Sequence, residues 1–381
     1  MKREGIAILD PLGSHGGFHY YTDGLAEGVA HAGRRVVLYG YDLAPKPTAK
    51  YLRQSAFKDL YGPASKWLRA LRYLGFLTRA LVDARARRLE IVHMHSFHYD
   101  ARELIAACLS RLLGFKLVVT LHDIDSFGSS SGKAGRSAIT ALADGLVVHN
   151  EFSRVALNPA GAPPGRAPVA VIPHGHYADR WGDSVSRAAA RTSLGLPGDR
   201  TVALFFGNPR SEKGLDILLE ALRLVQNKNL LVLVAGRIEE NDLAGLRALE
   251  AGELAGRLRI DAGWIDDNAI ADYYAAADIV VLPYLRIYES GVAIMAMTFG
   301  RCVVYSDLPP LLETVGTEGV SFRTKDPVDL AVTLDRLVQT HVNLDELGQR
   351  ARRKVLSDRS WLKIGADTVR LYDAATARRE H

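Results

Sequence analysis

The segment from Asp278 to Asp307 restricts the fold more than any other part of the chain. Ile279-Val-Val-Leu282 is an unbroken run of branched apolar side chains, the pattern of a strand covered on both faces in a parallel sheet. Pro283 stops it, because proline has no N–H to give to a ladder. Glu289-Ser-Gly291 then leads into a compact apolar stretch, Val292–Phe299, which Gly300 ends as a glycine just past a helix does. Val303–Tyr305 reads as the next strand. A loop that enters a helix at Ser-Gly turns backbone N–H groups outward, with the positive end of the helix dipole behind them. That end suits a diphosphate, although a plain strand–loop–helix connection has the same pattern.

The same alternation runs through the whole chain. Ile6–Leu9, Val36–Tyr39, Glu90–His98, Lys116–Asp125, Gly145–His149 and Val169–Ile172 read as strands in the first half. Val202–Phe206, Leu230–Ala235 and Leu258–Asp261 join Ile279–Leu282 in the second. Helix-period stretches separate them, such as Tyr20–Ala32 and Leu215–Leu224. The class is therefore α/β with two parallel sheets. A chain of 381 residues is too long for one core. We expect a Rossmann-like domain over residues 1–177, a second over 178–360, and a last helix, 361–381, that crosses back to the first. Tyr177 to about Arg200 is the candidate linker.

Three places could carry chemistry. Asp10-Pro-Leu-Gly-Ser-His-Gly-Gly-Phe-His19 follows the first strand, and Gly16-Gly17 would let a phosphate or sugar come close to the main chain. The spacing is not that of a dinucleotide fingerprint. Gly207-Asn-Pro-Arg-Ser-Glu-Lys-Gly214 links a strand to a helix and combines main-chain N–H groups with two cations, Arg210 and Lys213, which again suits a diphosphate. His93, His95, His98 and His122-Asp123 end two strands, where parallel-sheet enzymes place their chemistry. Their spacing fits no helical or Cys/His zinc set, so they read as hydrogen-bonding or proton-handling groups. No metal is expected.

Lysines and arginines concentrate between Lys46 and Arg88, within a net charge of +5. At about 100° per residue, Lys66, Arg69, Arg72 and Arg79 share one arc of a helix. Trp67, Leu68, Leu71, Leu74, Leu81 and Val82 share the other. Such a helix suits an anionic membrane surface, and equally a sheet with the arginines in water. No nucleic-acid-binding pattern is present, so nucleic acid is not an expected partner. No apolar run approaches the roughly 18 residues that span a bilayer. With two cysteines, Cys108 and Cys302, and no leader-like start, the expected place is the cytoplasm, at most peripheral on the inner face of the membrane.

Taken together, Gly16-Gly17, the strand into His122-Asp123, Val171-Ile-Pro-His-Gly175, Phe206 to Gly214, and Leu282-Pro-Tyr284 through Gly300 resemble the GT-B glycosyltransferases of the group-1, family-4-like type. The resemblance covers nearly the whole length. Pro173-His-Gly-His-Tyr177 with Tyr288-Glu-Ser-Gly-Val292 is more particularly similar to bacterial exopolysaccharide transferases, including the xanthan-type β-mannosyltransferase. It implies two Rossmann-like domains facing a cleft, and no required metal. It also implies a GDP-mannose or UDP-sugar donor, and a polyprenyl-linked or oligosaccharide acceptor at the membrane's inner leaflet. Lys213 matches the lysine on the donor phosphates. Gly16, Gly17, Gly207, Arg210, Ser290, Gly291 and Val292 complete the expected binding set, and Asp123, His122 and Glu289 the catalytic one. Asn208 stands where the family has an arginine, and Met295 where it has its second glutamate. A nucleotide-sugar epimerase and a non-catalytic glycan-binding subunit are the alternative readings.

Overall fold

The computed structural model describes residues 5–13, 18–40, 50–57, 60, 64–125, 132–157, 167–181, 185–339 and 343–377. The chain forms two compact units, Met1–Gly175 with Arg359–His381, and His176–Asp358.

The first unit is built on seven parallel strands. They are β1 (Gly5–Leu9), β2 (Arg35–Gly40), β3 (Leu52–Ser55), β4 (Ile91–Ser96), β5 (Lys116–Leu121), β6 (Gly145–Val148) and β7 (Val169–Val171), in the order β3-β2-β1-β4-β5-β6-β7. Strands β1, β4, β5 and β6 are buried end to end, as branched side chains covered on both faces must be. Strand β3 has no such run. Its Leu-Arg-Gln-Ser is largely exposed at the sheet edge, where polar and charged side chains guard open hydrogen-bonding groups.

The final helix, Trp361–Ala377, belongs to this unit and lies against helix Phe18–His31. Their backbones touch through paired glycines. A Cβ placed on Gly365 would come 2.0 Å from the carbonyl carbon of Gly28. The Trp361 indole fills a notch between Gly24 and Gly175, where an added Cβ would stand 2.1 and 2.3 Å from the ring. Trp361, Ile364, Leu371 and Tyr372 thereby join Ile6, Ile8, Tyr21 and Leu25 in one core.

Helix Lys66–Ala86 begins at the Ser65 cap. The arc it buries is not the one its sequence periodicity marks as most apolar. Tyr73, Leu77, Ala80, Leu81 and Ala84 face inward, the small alanines allowing close approach and the Tyr73 hydroxyl donating to the Arg102 carbonyl at 3.2 Å. Trp67 and Leu71 stand 84% and 66% exposed, with Leu68, Leu74 and Val82 exposed beside them.

The second unit has six parallel strands, β8 (Thr201–Phe206), β9 (Leu230–Gly236), β10 (Leu258–Ala262), β11 (Ile279–Leu282), β12 (Cys302–Ser306) and β13 (Val320–Phe322), ordered β10-β9-β8-β11-β12-β13. The stretch expected as a linker is partly helical, with Ala178–Trp181 and Arg187–Leu194 inside it. Arg191 ties it down through Asp278 at 2.5 Å. In each sheet the strand order reverses once, between β1 and β4 and between β8 and β11. Loops leaving the carboxyl ends of strands on either side of such a reversal diverge and frame a crevice.

Candidate functional site

In the second unit, that reversal brings together the 207–214 loop and the chain leaving β11. Three strands end in glycines with positive φ: Gly207 at +100°, Gly236 at +150° and Gly263 at +146°. A Cβ on Gly236 would meet the Gly207 carbonyl oxygen at 2.5 Å, so these tips pack main chain on main chain. Gly214, with φ +63°, presses on the Pro283 carbonyl, where a Cβ would sit 1.9 Å away. Leu285 N–H donates to the Glu212 carbonyl at 2.8 Å. Lys213 is thus held on both sides. Its Nζ donates to the Tyr284 hydroxyl at 3.0 Å and lies 4.7 Å from the centre of that ring. Gly207 is close by, since a Cβ there would be 3.8 Å from the same ammonium. Arg210 stands at the start of the short turn Ser211–Lys213 without a side-chain capping bond, and is exposed.

Helix Gly291–Thr298 starts seven residues after Tyr284. The Ser290 hydroxyl accepts the Ala293 N–H at 3.2 Å, leaving the Gly291 and Val292 N–H groups at the helix opening without a partner inside the helix. Gly291 fits closely here, since a Cβ would come 2.9 Å from the Tyr177 hydroxyl. Glu289 is half-buried, and its Oε1 accepts from the Ser290 N–H at 3.1 Å and from Thr314 Oγ1 at 3.4 Å. Met295 is buried within the helix.

In the first unit Gly16 and Gly17 lie outside the described residues. His122 stands at the end of β5, and both of its ring nitrogens are engaged. Nε2 meets His95 Nδ1 at 3.3 Å and Nδ1 meets His149 Nε2 at 3.0 Å. Phe97 stacks on the His122 ring at 4.3 Å, and Phe18 meets its edge at 5.1 Å. Asp123, next along, is half-buried, and its main-chain carbonyl accepts the Tyr99 hydroxyl. Asp125 pairs with Arg136 at 2.9 Å. Glu103 fixes the loop after β4 by accepting the N–H groups of Phe97, His98 and Tyr99 and the Ser96 hydroxyl. His95 is one of the strand-end histidines expected to handle protons or hydrogen bonds, whereas His149 and Tyr284 are neighbours to which the sequence assigns no role. Among the described residues no group of three or more His, Cys, Asp or Glu could hold a metal ion.

Two family models match, in opposite halves. Residues 15–180 match Glycosyltransferase Family 4 and residues 200–340 match Glycosyl transferases group 1. The chain belongs to the GT-B glycosyltransferases of this group-1, family-4 type. An uncharacterised glycosyltransferase of Methanocaldococcus jannaschii is 23% identical over 94% of this chain and 95% of its own length. The GDP-mannose:glycolipid 4-beta-D-mannosyltransferase of Xanthomonas campestris pv. campestris is 26% identical over 76% of this chain and 81% of its own. Among solved structures, sucrose-phosphate synthase from Thermosynechococcus elongatus aligns with a TM-score of 0.77 at 22% identity, covering 99% of this chain and 100% of that one.

Buried histidines also shape this glycosyltransferase's response to acid. Burial pushes His93 and His174 down from 6.5 to about 3. The unfolded chain takes up protons at these rings as pH falls below 6.5, and the folded chain does not until about 3. Their contribution to stability is therefore complete above that upper value and declines below it, by about 1.4 kcal/mol per pH unit for each ring. Exposed carboxylates titrate lower, so urea unfolding should show a loss already between about pH 6.5 and 5. A urea midpoint that stays flat across that interval would contradict the burial of these rings.

Proposed function

We propose that this glycosyltransferase moves a hexose from a nucleotide diphosphate donor, GDP-mannose or a UDP-sugar, to a lipid-linked or oligosaccharide acceptor in the synthesis of bacterial exopolysaccharide or another cell-surface glycan. The observation that carries the reading is the fixed ammonium of Lys213, hydrogen-bonded to Tyr284 at 3.0 Å beside the glycine tip of β8. A diphosphate leaving group gains negative charge as the sugar–oxygen bond breaks, and a cation already in place stabilises it without reorganisation. The N–H groups at Ser290–Val292, at the positive end of their helix, add to that field. Arg210 is exposed and available to the same phosphates. The relative from Xanthomonas, named for GDP-mannose and a glycolipid, supports the donor and acceptor class.

The acceptor hydroxyl must lose its proton. In an inverting transfer Asp123 and His122 are the candidates for the base, with Asp125, paired with Arg136, behind them. In a retaining transfer the departing phosphate takes the proton, Asp123 and His122 orient the sugar, and Glu289 stays at the helix entrance.

A lipid-linked acceptor places the enzyme at a membrane surface. Helix Lys66–Ala86 offers exposed Trp67, Leu71, Leu74 and Val82 along one stripe, with Arg79 on the arc beside it. No helix among the described residues is long and apolar enough to cross a membrane.

Two experiments test these readings. Lys213→Ala should lower turnover of a GDP- or UDP-sugar by more than about tenfold, about 1.4 kcal/mol of transition-state stabilisation, with the circular dichroism unchanged. Unchanged turnover would reject the phosphate role. The protein should sediment with phosphatidylglycerol vesicles and not with phosphatidylcholine ones, and Leu71→Glu should abolish that sedimentation. Retention of L71E on the vesicles would remove the helix from the membrane contact.

A further inference from the structure

The tips of β4, β5 and β6 carry a chain of histidines whose direction the main chain sets. His149 Nδ1 lies 3.0 Å from the Ile172 carbonyl oxygen. A carbonyl only accepts, so that nitrogen carries the proton. In a neutral ring His149 Nε2 is then a bare lone pair, and its partner, His122 Nδ1, must donate to it. His122 Nε2 is left bare in turn, and His95 Nδ1 must donate to it across 3.3 Å. The chain ends at His95 Nε2, without a proton. Burial holds the rings of His95 and His122 well below 6.5, with the neighbouring histidines adding repulsion, so each carries one proton at neutral pH. The opposite direction would need His149 to hold both protons as a buried cation, which desolvation opposes.

His95 Nε2 is buried and has no hydrogen-bond partner in the structure, in a residue only 6% exposed. Its neighbours cannot supply one. His93, stacked on it, has its nitrogens on Tyr372 and Thr120 at 2.6 and 2.7 Å. Phe18 and Tyr21 present ring edges. His95 also lines a cavity of about 50 Å³ with Leu12, Phe18, Tyr73, Phe97 and Arg102. Leu12 follows β1 and Phe97 follows β4, so the cavity opens where the strand order reverses, the place at which open α/β sheets receive ligands. That space admits a polar group of a bound ligand beside the ring.

We propose that His95 Nε2 accepts a hydrogen bond from a hydroxyl group of a carbohydrate bound at this end of the first sheet, with His122 and His149 as positioning residues that keep the nitrogen free of a proton. The ligand class rests on the glycosyl-transfer reading, whereas the tautomers rest on hydrogen-bond geometry and on the burial that keeps the rings neutral. An uncharged imidazole lone pair welcomes a hydroxyl proton and repels an anion, so this end of the sheet takes a neutral part of the substrate and not its phosphates.

The test is long-range ¹H–¹⁵N correlation on the full chain labelled at histidine, at neutral pH. His95, His122 and His149 should all show the Nδ1–H tautomer. Addition of methyl α-D-mannopyranoside should move the His95 Nε2 resonance in the direction of hydrogen-bond acceptance, and inorganic phosphate should leave it in place. His149→Phe, which removes the anchor, should turn His95 into a mixture of tautomers while its fold, judged by the amide spectrum, persists. A proton found on His95 Nε2 in the unmutated protein would overturn the proposal, as would a resonance that answers to phosphate and not to the glycoside. Failure of the Lys213→Ala experiment would sink the donor-phosphate reading and leave the tautomer result standing, so the two can fail separately.

Discussion

Much of the second unit's candidate site depends on one close approach, that of Gly214 to the carbonyl of Pro283. Only a residue without a side chain fits, since a Cβ would sit 1.9 Å from the oxygen. That contact, with the hydrogen bond from Leu285 to Glu212, fastens the loop after β8 to the chain leaving β11. Lys213 stands between these fastenings, and its long, flexible side chain is directed by Tyr284. The order of a lysine ammonium ordinarily costs rotamer entropy when a ligand arrives. Here the hydroxyl of Tyr284 orders it beforehand.

The first unit is organised by burial. Its strand tips carry aromatic rings and imidazoles packed edge to face, with Tyr21 touching His95, His122, His149 and His174. A cluster of this kind resists charge, and it keeps its histidines neutral where exposed ones would begin to protonate. The two units thus differ in electrostatic character: glycine tips, helix N–H groups and a lysine in one, uncharged hydrogen-bonding rings in the other.

The strands that build both sheets were legible because central parallel strands must be apolar on both faces, and runs such as Ile279–Leu282 and Val202–Phe206 have few other uses. Strand β3 was not, because an edge strand of Leu-Arg-Gln-Ser owes its conformation to its neighbour β2 and has no pattern of its own. Periodicity marked helix Lys66–Ala86 but not its buried face, which is chosen by the fit of Ala80, Ala84 and Tyr73 against the rest of the unit. The histidine chain was also out of reach. His95 is level with Thr120, and Thr120 with Val147, so His122 and His149 extend two residues beyond those rungs, and only the register of three strands shows it. The 207–214 loop was read as suited to a diphosphate from Gly207, Arg210 and Lys213, but the tyrosine that directs the lysine became visible only once β11 was placed beside β8.

The most direct measurement of the central claim is a crystal structure of the protein with GDP or UDP. The expected result is a diphosphate on the Gly207–Gly214 loop with Lys213 Nζ within hydrogen-bond distance of its oxygens. A nucleotide bound with its diphosphate away from that loop, and Lys213 still on Tyr284 alone, would contradict the account.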